Sequence, residues 1–174
     1  MDPWVGVVVV AASIGAIAHL ALRRKGNPVR SVEHPFFSRL WLWPPGSHTR
    51  WEAEIDGSAP GREEPVGVHA ETVHAQAASD VPKEAEIAFC ERLLANPHGF
   101  FALSELANDR DVRTLVGSDL RHDWRETASL DGFSVPLDGD RTNPWGATFL
   151  CAATGYHLNI RFERGTPRLE SVDR

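Results

Sequence analysis

Tyr156-His157-Leu158-Asn159-Ile160-Arg161-Phe162-Glu163 alternates apolar and polar side chains over eight residues. Successive side chains of an extended chain point to opposite faces, so this stretch reads as a strand with one face in a core and the other wet. Its neighbours extend the pattern. Ala147 to Ala153 reads as a further strand joined through the Thr154-Gly155 turn. Arg164-Gly165-Thr166-Pro167 turns the chain into a last strand over Arg168 to Val172. Upstream, Phe133, Val135 and Leu137 alternate with Ser134, Pro136 and Asp138, and Pro136 marks an edge strand or a bulge because it lacks an N–H.

Before Gly117 the period becomes helical. The folded region starts near Ser79-Asp80, with Pro82 in a first helical turn and Glu84 and Glu86 placed against the positive end of the helix. Ile87, Cys90, Leu93 and Leu94 share one face, and Asn96-Pro97-His98-Gly99 ends the helix. A second amphipathic segment runs from Phe100 to Ala107. Asn108 or Asp109 caps a short third helix that carries Val112, Leu115 and Val116, with Gly117 as its left-handed C-cap. Residues 80–174 are therefore expected to be an α+β domain, two or three helices packed on one face of an antiparallel β-sheet meander.

The first half of the chain reads differently. From Gly46 to Ser79 the composition is rich in Gly, Pro, Ala, Glu and His and poor in large apolar residues, too poor to offset the entropy of ordering. Residues 52–79 are expected to be a flexible tether, the whole Gly46–Ser79 stretch having its ends about 30–35 Å apart as a random coil. Residues 26–51 hold Phe36, Phe37, Trp41, Trp43 and Trp51 among scattered Arg and His. Such rings collect at membrane interfaces, which predicts a surface-lying segment stopped by Pro44-Pro45. Packing of the same rings into the soluble domain, or against a partner subunit, is the other reading.

From Trp4 to Leu22 there is no Lys, Arg, Asp or Glu, and a helix of that length reaches about 28 Å, one hydrocarbon core. The stretch before it carries no positive side chain, and no small-x-small site precedes a polar mature start, so a retained anchor is favoured over a signal peptide. Residues 1–25 are thus expected to form a single transmembrane helix with the basic flank Arg23-Arg24-Lys25, and the lipid bilayer is a partner. The flank places the domain on the cytoplasmic side, or in the matrix of a mitochondrion.

At 174 residues and 42% hydrophobic content, the chain can fill one modest core. A net charge of −6 argues against nucleic acid as a partner. Two cysteines exclude a disulfide scaffold and a four-thiolate zinc site. Cys90 and Cys151 read as ordinary buried thiols, able to pair only in an oxidising compartment.

No phosphate-binding loop, dinucleotide fingerprint or nucleophile elbow is present. His69 and His74 are five apart in His-Ala-Glu-Thr-Val-His, whereas a helix presents two ligands on one face at four. The loop from Asp138 to Asn143 begins like a calcium loop but lacks Gly at its sixth position and has Phe149 at its twelfth, so it reads as an acidic turn. His122-Asp123 and His157 are polar groups with no nucleophile set beside them. No catalytic, cofactor-binding or metal-binding residue is assigned.

Asn108-Asp109-Arg110-Asp111-Val112-Arg113-Thr114-Leu115-Val116-Gly117-Ser118-Asp119-Leu120 resembles the short helix-and-glycine element of the cytochrome c oxidase assembly factor 1 family, which is related to the intermembrane-space subunit of the mitochondrial presequence translocase. Val135-Pro136-Leu137-Asp138-Gly139, then Gly146 and a strand ending at Ala152, is similar to a second family pattern. The family's prolines are Arg110 and Asp119 here, and the basic flank predicts the opposite side of the membrane from its mitochondrial members. The resemblance covers about residues 83 to 173 plus the anchor. It implies that Val112, Leu115, Gly117, Pro136, Gly139 and Gly146 define the fold rather than a reaction centre. The implied function is that of a non-enzymatic, membrane-anchored accessory or assembly factor of a respiratory or protein-translocation complex. Its partners would be subunits of a larger membrane complex, and its place the mitochondrial inner membrane or the bacterial cytoplasmic membrane. Partner contacts would run through an exposed sheet edge or through the aromatic segment Phe36 to Trp51. The competing class is a cone-shaped, nuclear-transport-factor-like domain that binds a small ligand or acts as an enzyme. That class needs a cavity lined by polar groups such as His157 or Asp123, whereas the accessory class needs a filled two-layer core.

Overall fold

The structure is a computed structural model that describes residues 30–44, 47–56, 65–71, 81–101, 106, 112, 127–152 and 154–174. Its centre is an eight-stranded sheet of β1 (Arg30–Val32), β2 (Arg39–Leu42), β3 (Thr49–Ile55), β4 (Val66–Glu71), β5 (Ala128–Val135), β6 (Trp145–Cys151), β7 (His157–Glu163) and β8 (Thr166–Asp173). The spatial order follows the chain order. Every neighbouring pair is antiparallel except β4 with β5, which run parallel. The sheet is thus two four-stranded meanders laid side by side, and a parallel junction requires a crossover between them. Helix α1 (Glu84–Ala95) and the short helix α2 (Pro97–Phe101) lie in that crossover.

Two expectations are corrected. The stretch expected to be a tether supplies β3 and β4, and the sheet begins before the helices as well as following them. The reason is local patterning within a poor average composition. Trp51, Ala53 and Ile55 alternate, as do Val66, Val68 and Ala70, and all six are buried. The sheet is also not an antiparallel meander throughout, because the helical crossover enters β5 alongside β4 in the same direction.

One sheet face is apolar across its centre. Ala53, Val68, Phe133, Ala147 and Ile160 fall in one line across five strands, and all are buried. Helix α1 lays Phe89, Cys90 and Leu93 into the core. Phe89 meets Phe100, Trp145 and Phe133 with ring centroids 5.3, 5.3 and 6.3 Å away. Trp145 stacks on Phe162 at 3.9 Å, and Phe101 packs edge-on against Phe149 at 4.9 Å. Neighbouring backbones press closely at the parallel junction, where a Cβ on Gly132 would lie 2.9 Å from the Gly67 carbonyl oxygen.

Helix α1 starts and stops near the expected residues. Its N-terminus is tied by Glu86, whose carboxylate accepts the Lys83 N–H at 2.9 Å, the reciprocal half of a capping box. The expected stop at Asn96-Pro97-His98-Gly99 also begins α2. Asn96 Oδ1 accepts the Gly99 N–H at 3.1 Å and Pro97 takes the first helical position, where its missing N–H costs nothing. The expected strand through Leu137 ends instead at Val135, and Pro136 leads into a 3-10 turn, Leu137–Gly139.

The expected span at Trp4–Leu22 lies outside the described residues, as do Leu115 and Gly117 with the C-cap assigned to it. Among the described residues no helix is long and apolar enough to cross a membrane.

Candidate functional site

The buried polar groups divide between two places, and the alternation of β3 explains both. A register shift between Thr49 and Trp51 marks a bulge, which brings two successive side chains to the same helix. Arg50 donates to Glu86 Oε1, and the Trp51 indole N–H donates to Glu86 Oε2 at 3.3 Å. Glu86 is fully buried. With the Lys83 N–H, its carboxylate collects a guanidinium, an indole and a backbone donor, so a charge that would be costly alone is paired and hydrogen-bonded. This knot clamps the first turn of α1 to β3.

The second place is the opposite face of the sheet. Trp41, Glu52, His69 and Ser134 stand in register on β2, β3, β4 and β5. Glu52, His69 and Ser134 are all buried. Burial pushes the Glu52 carboxyl above its ordinary value, offset in part by His69 and by the nearby indole N–H of Trp43. That N–H forms no hydrogen bond of regular geometry. Ser134 Oγ accepts the Gly146 N–H at 2.8 Å, tying β5 to the start of β6.

Further along this face, Thr148 Oγ1 donates to Asn159 Oδ1 at 2.8 Å. Asn159 Nδ2 donates to Ser171 Oγ at 2.9 Å and to Asp173 Oδ2 at 2.7 Å. His157 Nε2 lies 3.6 Å from Asp131 Oδ2, and Asp131 sits in a bulge of β5 between Leu130 and Gly132. These side chains cross-link strands. Among the described residues no group of three or more His, Cys, Asp or Glu side chains could hold a metal ion.

The residues singled out by sequence fall into two sets. Gly139 has φ +67°, and a Cβ there would come within 2.1 Å of the Ala85 carbonyl oxygen, so it is the point where the 3-10 turn seats against α1. Pro136 and Gly146 are buried at the ends of β5 and β6, and Val112 is helical and fully buried. In the aromatic segment, Phe37, Trp43 and Trp51 belong to the interior. Phe37 lies 4.9 Å from Phe36 and 5.4 Å from Trp51. This corrects the expectation of a surface-lying segment over 26–51 and supports the reading in which its rings pack into the folded domain. Phe36 and Trp41 remain half-exposed.

His69 lies in β4, so the histidine string that contains it does not begin on a helix. Asp138 pairs with Lys83 at 2.5 Å, and Asp140 closes a turn by accepting from the Thr142 N–H at 2.9 Å and its hydroxyl at 2.8 Å. Those turn bonds hold the exposed Asp140 carboxyl below its ordinary value. Cys90 and Cys151 are buried as thiols, and burial pushes the Cys90 thiol up. Sequence reasoning passed over Arg50, Glu52 and Asp131. Arg50 and Glu52 intersperse the apolar residues of β3, and no local signal in the sequence marks their burial.

No family model, curated protein or solved structure matches the chain.

Proposed function

We propose that this chain is a membrane-anchored, non-enzymatic module that serves a larger membrane complex as an accessory or assembly factor. The observation that supports it is the filling of the space between helices and sheet. Phe89, Phe100, Phe101, Phe133, Trp145, Phe149 and Phe162 contact one another there, from the 3.9 Å stack of Trp145 on Phe162 to the 6.3 Å approach of Phe89 to Phe133. A ligand-binding cone needs that space open and lined with polar groups. His157, one of the residues that would line it, lies on the other face, beside Asp131.

The respiratory or translocation setting rests on the resemblance of residues 83 to 173. The order of elements adds four strands ahead of the helices that the resemblance does not imply. A sheet-edge docking mode is the weaker of the two contact modes. β1 has three residues, while β8 carries Pro167 and a register shift opposite Asn159 and Ile160, features that blunt an edge against further strands.

The test is extraction of native membranes in mild detergent, separation on a native gel and identification of the chains that migrate with this one. Co-migration with a respiratory or translocase assembly is the expected result. Migration near the monomer mass, with binding of a small ligand in a thermal-shift screen, would overturn the proposal.

A further inference from the structure

We infer that the β1 edge of the sheet lies against the bilayer, with Arg30 and Arg39 on the headgroups of anionic phospholipids. The inference rests on the membrane-anchor reading and adds where the domain sits relative to that anchor.

Chain length carries the first step. The expected span and its flank end at Lys25, and β1 begins at Arg30. Five peptide units reach at most about 18 Å when fully extended. The headgroup layer on one side of a bilayer is roughly 5–8 Å deep, so β1 has little room to stand away from the surface. With residues 49–55 and 66–71 built into the sheet, no long tether separates the domain from the span.

Charge carries the second step. Residues 23–42 contain Arg23, Arg24, Lys25, Arg30 and Arg39 against Glu33 alone, a net +4 with His neutral. The whole chain is −6, so the remainder is −10. A juxtamembrane basic stretch is drawn to an anionic leaflet, and because this one runs directly into β1 it holds that edge toward the lipid. Arg30 is exposed, and the Arg39 side chain is 68% exposed beside its single ion pair, 3.5 Å from Glu54. An exposed pair of that kind holds its partners weakly. Phe36 and Trp41, the two half-exposed rings of the aromatic segment, lie near the same edge. The opposite edge, β8, is seven strand spacings away, about 34 Å for a flat sheet.

The full chain is reconstituted into vesicles of phosphatidylcholine alone and of phosphatidylcholine mixed with phosphatidylglycerol. S31C on β1 and T166C on β8 each carry a fluorophore, the native thiols being buried. Quenching by a headgroup spin label is then read at each position. Expected are flotation with the vesicles after carbonate washing, strong quenching at S31C and none at T166C. The S31C signal should be stronger in mixed vesicles and fall to the phosphatidylcholine level in R30Q/R39Q. Equal quenching at the two positions, or none at S31C, in a chain that still floats would overturn the apposed edge and leave the anchor standing. A double variant with unchanged quenching would overturn the headgroup contact. Release by carbonate would overturn the anchor reading, and this inference with it.

Discussion

Gly139 shows how much one position can hold. Its φ of +67° and the Ala85 carbonyl beneath it leave no room for a side chain. Gly139→Ala is expected to destabilise the domain by about 3 kcal/mol, combining left-handed strain with overpacking; the midpoint of urea unfolding measures it. Glu52 carries a second prediction with a definite sign. Its folded-state pKa is raised by burial above the ordinary value of 4.5. Its contribution is therefore fully present below pH 4.5 and lost as pH rises through the raised value. Thermal midpoints of the native chain should fall across that window, and those of Glu52→Gln should fall less; parallel pH profiles would exclude Glu52 as the source. Of these two positions, Gly139 stands out in the sequence by its place in a Pro-x-x-Gly turn. Glu52 does not, since nothing in its local composition announces burial. Its surroundings come from Trp41 on β2 and His69 on β4, which reach it only once the hairpins form.

At the scale of elements, the Glu86 knot joins the first turn of α1 to β3 through Arg50 and Trp51. Glu86→Ala should cost about 3–5 kcal/mol because it removes the buried carboxylate shared by the Arg50 guanidinium, the Trp51 indole and the Lys83 N–H. The double variant Arg50→Met/Glu86→Leu should recover much of that loss, with unfolding free energies from denaturant titration closing the cycle. Helix α1 is legible in sequence because acidic first-turn residues, a single apolar face and an Asn-Pro stop all agree. Strands β6 to β8 are legible because clear alternation is punctuated by Gly-containing turns. Strands β3 and β4 are hidden for a physical reason. Arg50, Glu52, Glu54 and His69 intersperse their apolar residues, and three of those four polar side chains are buried by long-range partners that no local window contains.

For the whole molecule, one sheet contains both meanders, so the pair is expected to fold as a unit. A fragment of residues 80–174 lacks β4, the parallel neighbour of β5, and the Trp51 and Phe37 side chains of the core. It is expected to show no cooperative thermal transition by circular dichroism, whereas residues 30–174 should melt in one step. A cooperative melt of the shorter fragment would show that the second meander folds alone. Until the first meander is in place, a lone second meander exposes β5 as an open edge rather than a central strand.

The parallel contact between β4 and β5 also sets a clock. Each meander is assembled from hairpins close in sequence, but the junction pairs Gly67–Ala70 with Gly132–Val135 across a connection of more than fifty residues. Closing a loop of that length costs about 3.6 kcal/mol beyond a constant, before any contact is gained. Topology of this kind slows folding, so docking of the two halves is expected to be the rate-limiting event. Gly132→Ala, which presses on the Gly67 carbonyl at that seam, should then lower the refolding rate in stopped-flow experiments. Faster unfolding with unchanged refolding would mean that the halves meet only after the barrier. During synthesis the first meander leaves the ribosome well ahead of its partner, and for that interval β4 is an unsatisfied template waiting for the strand that completes it.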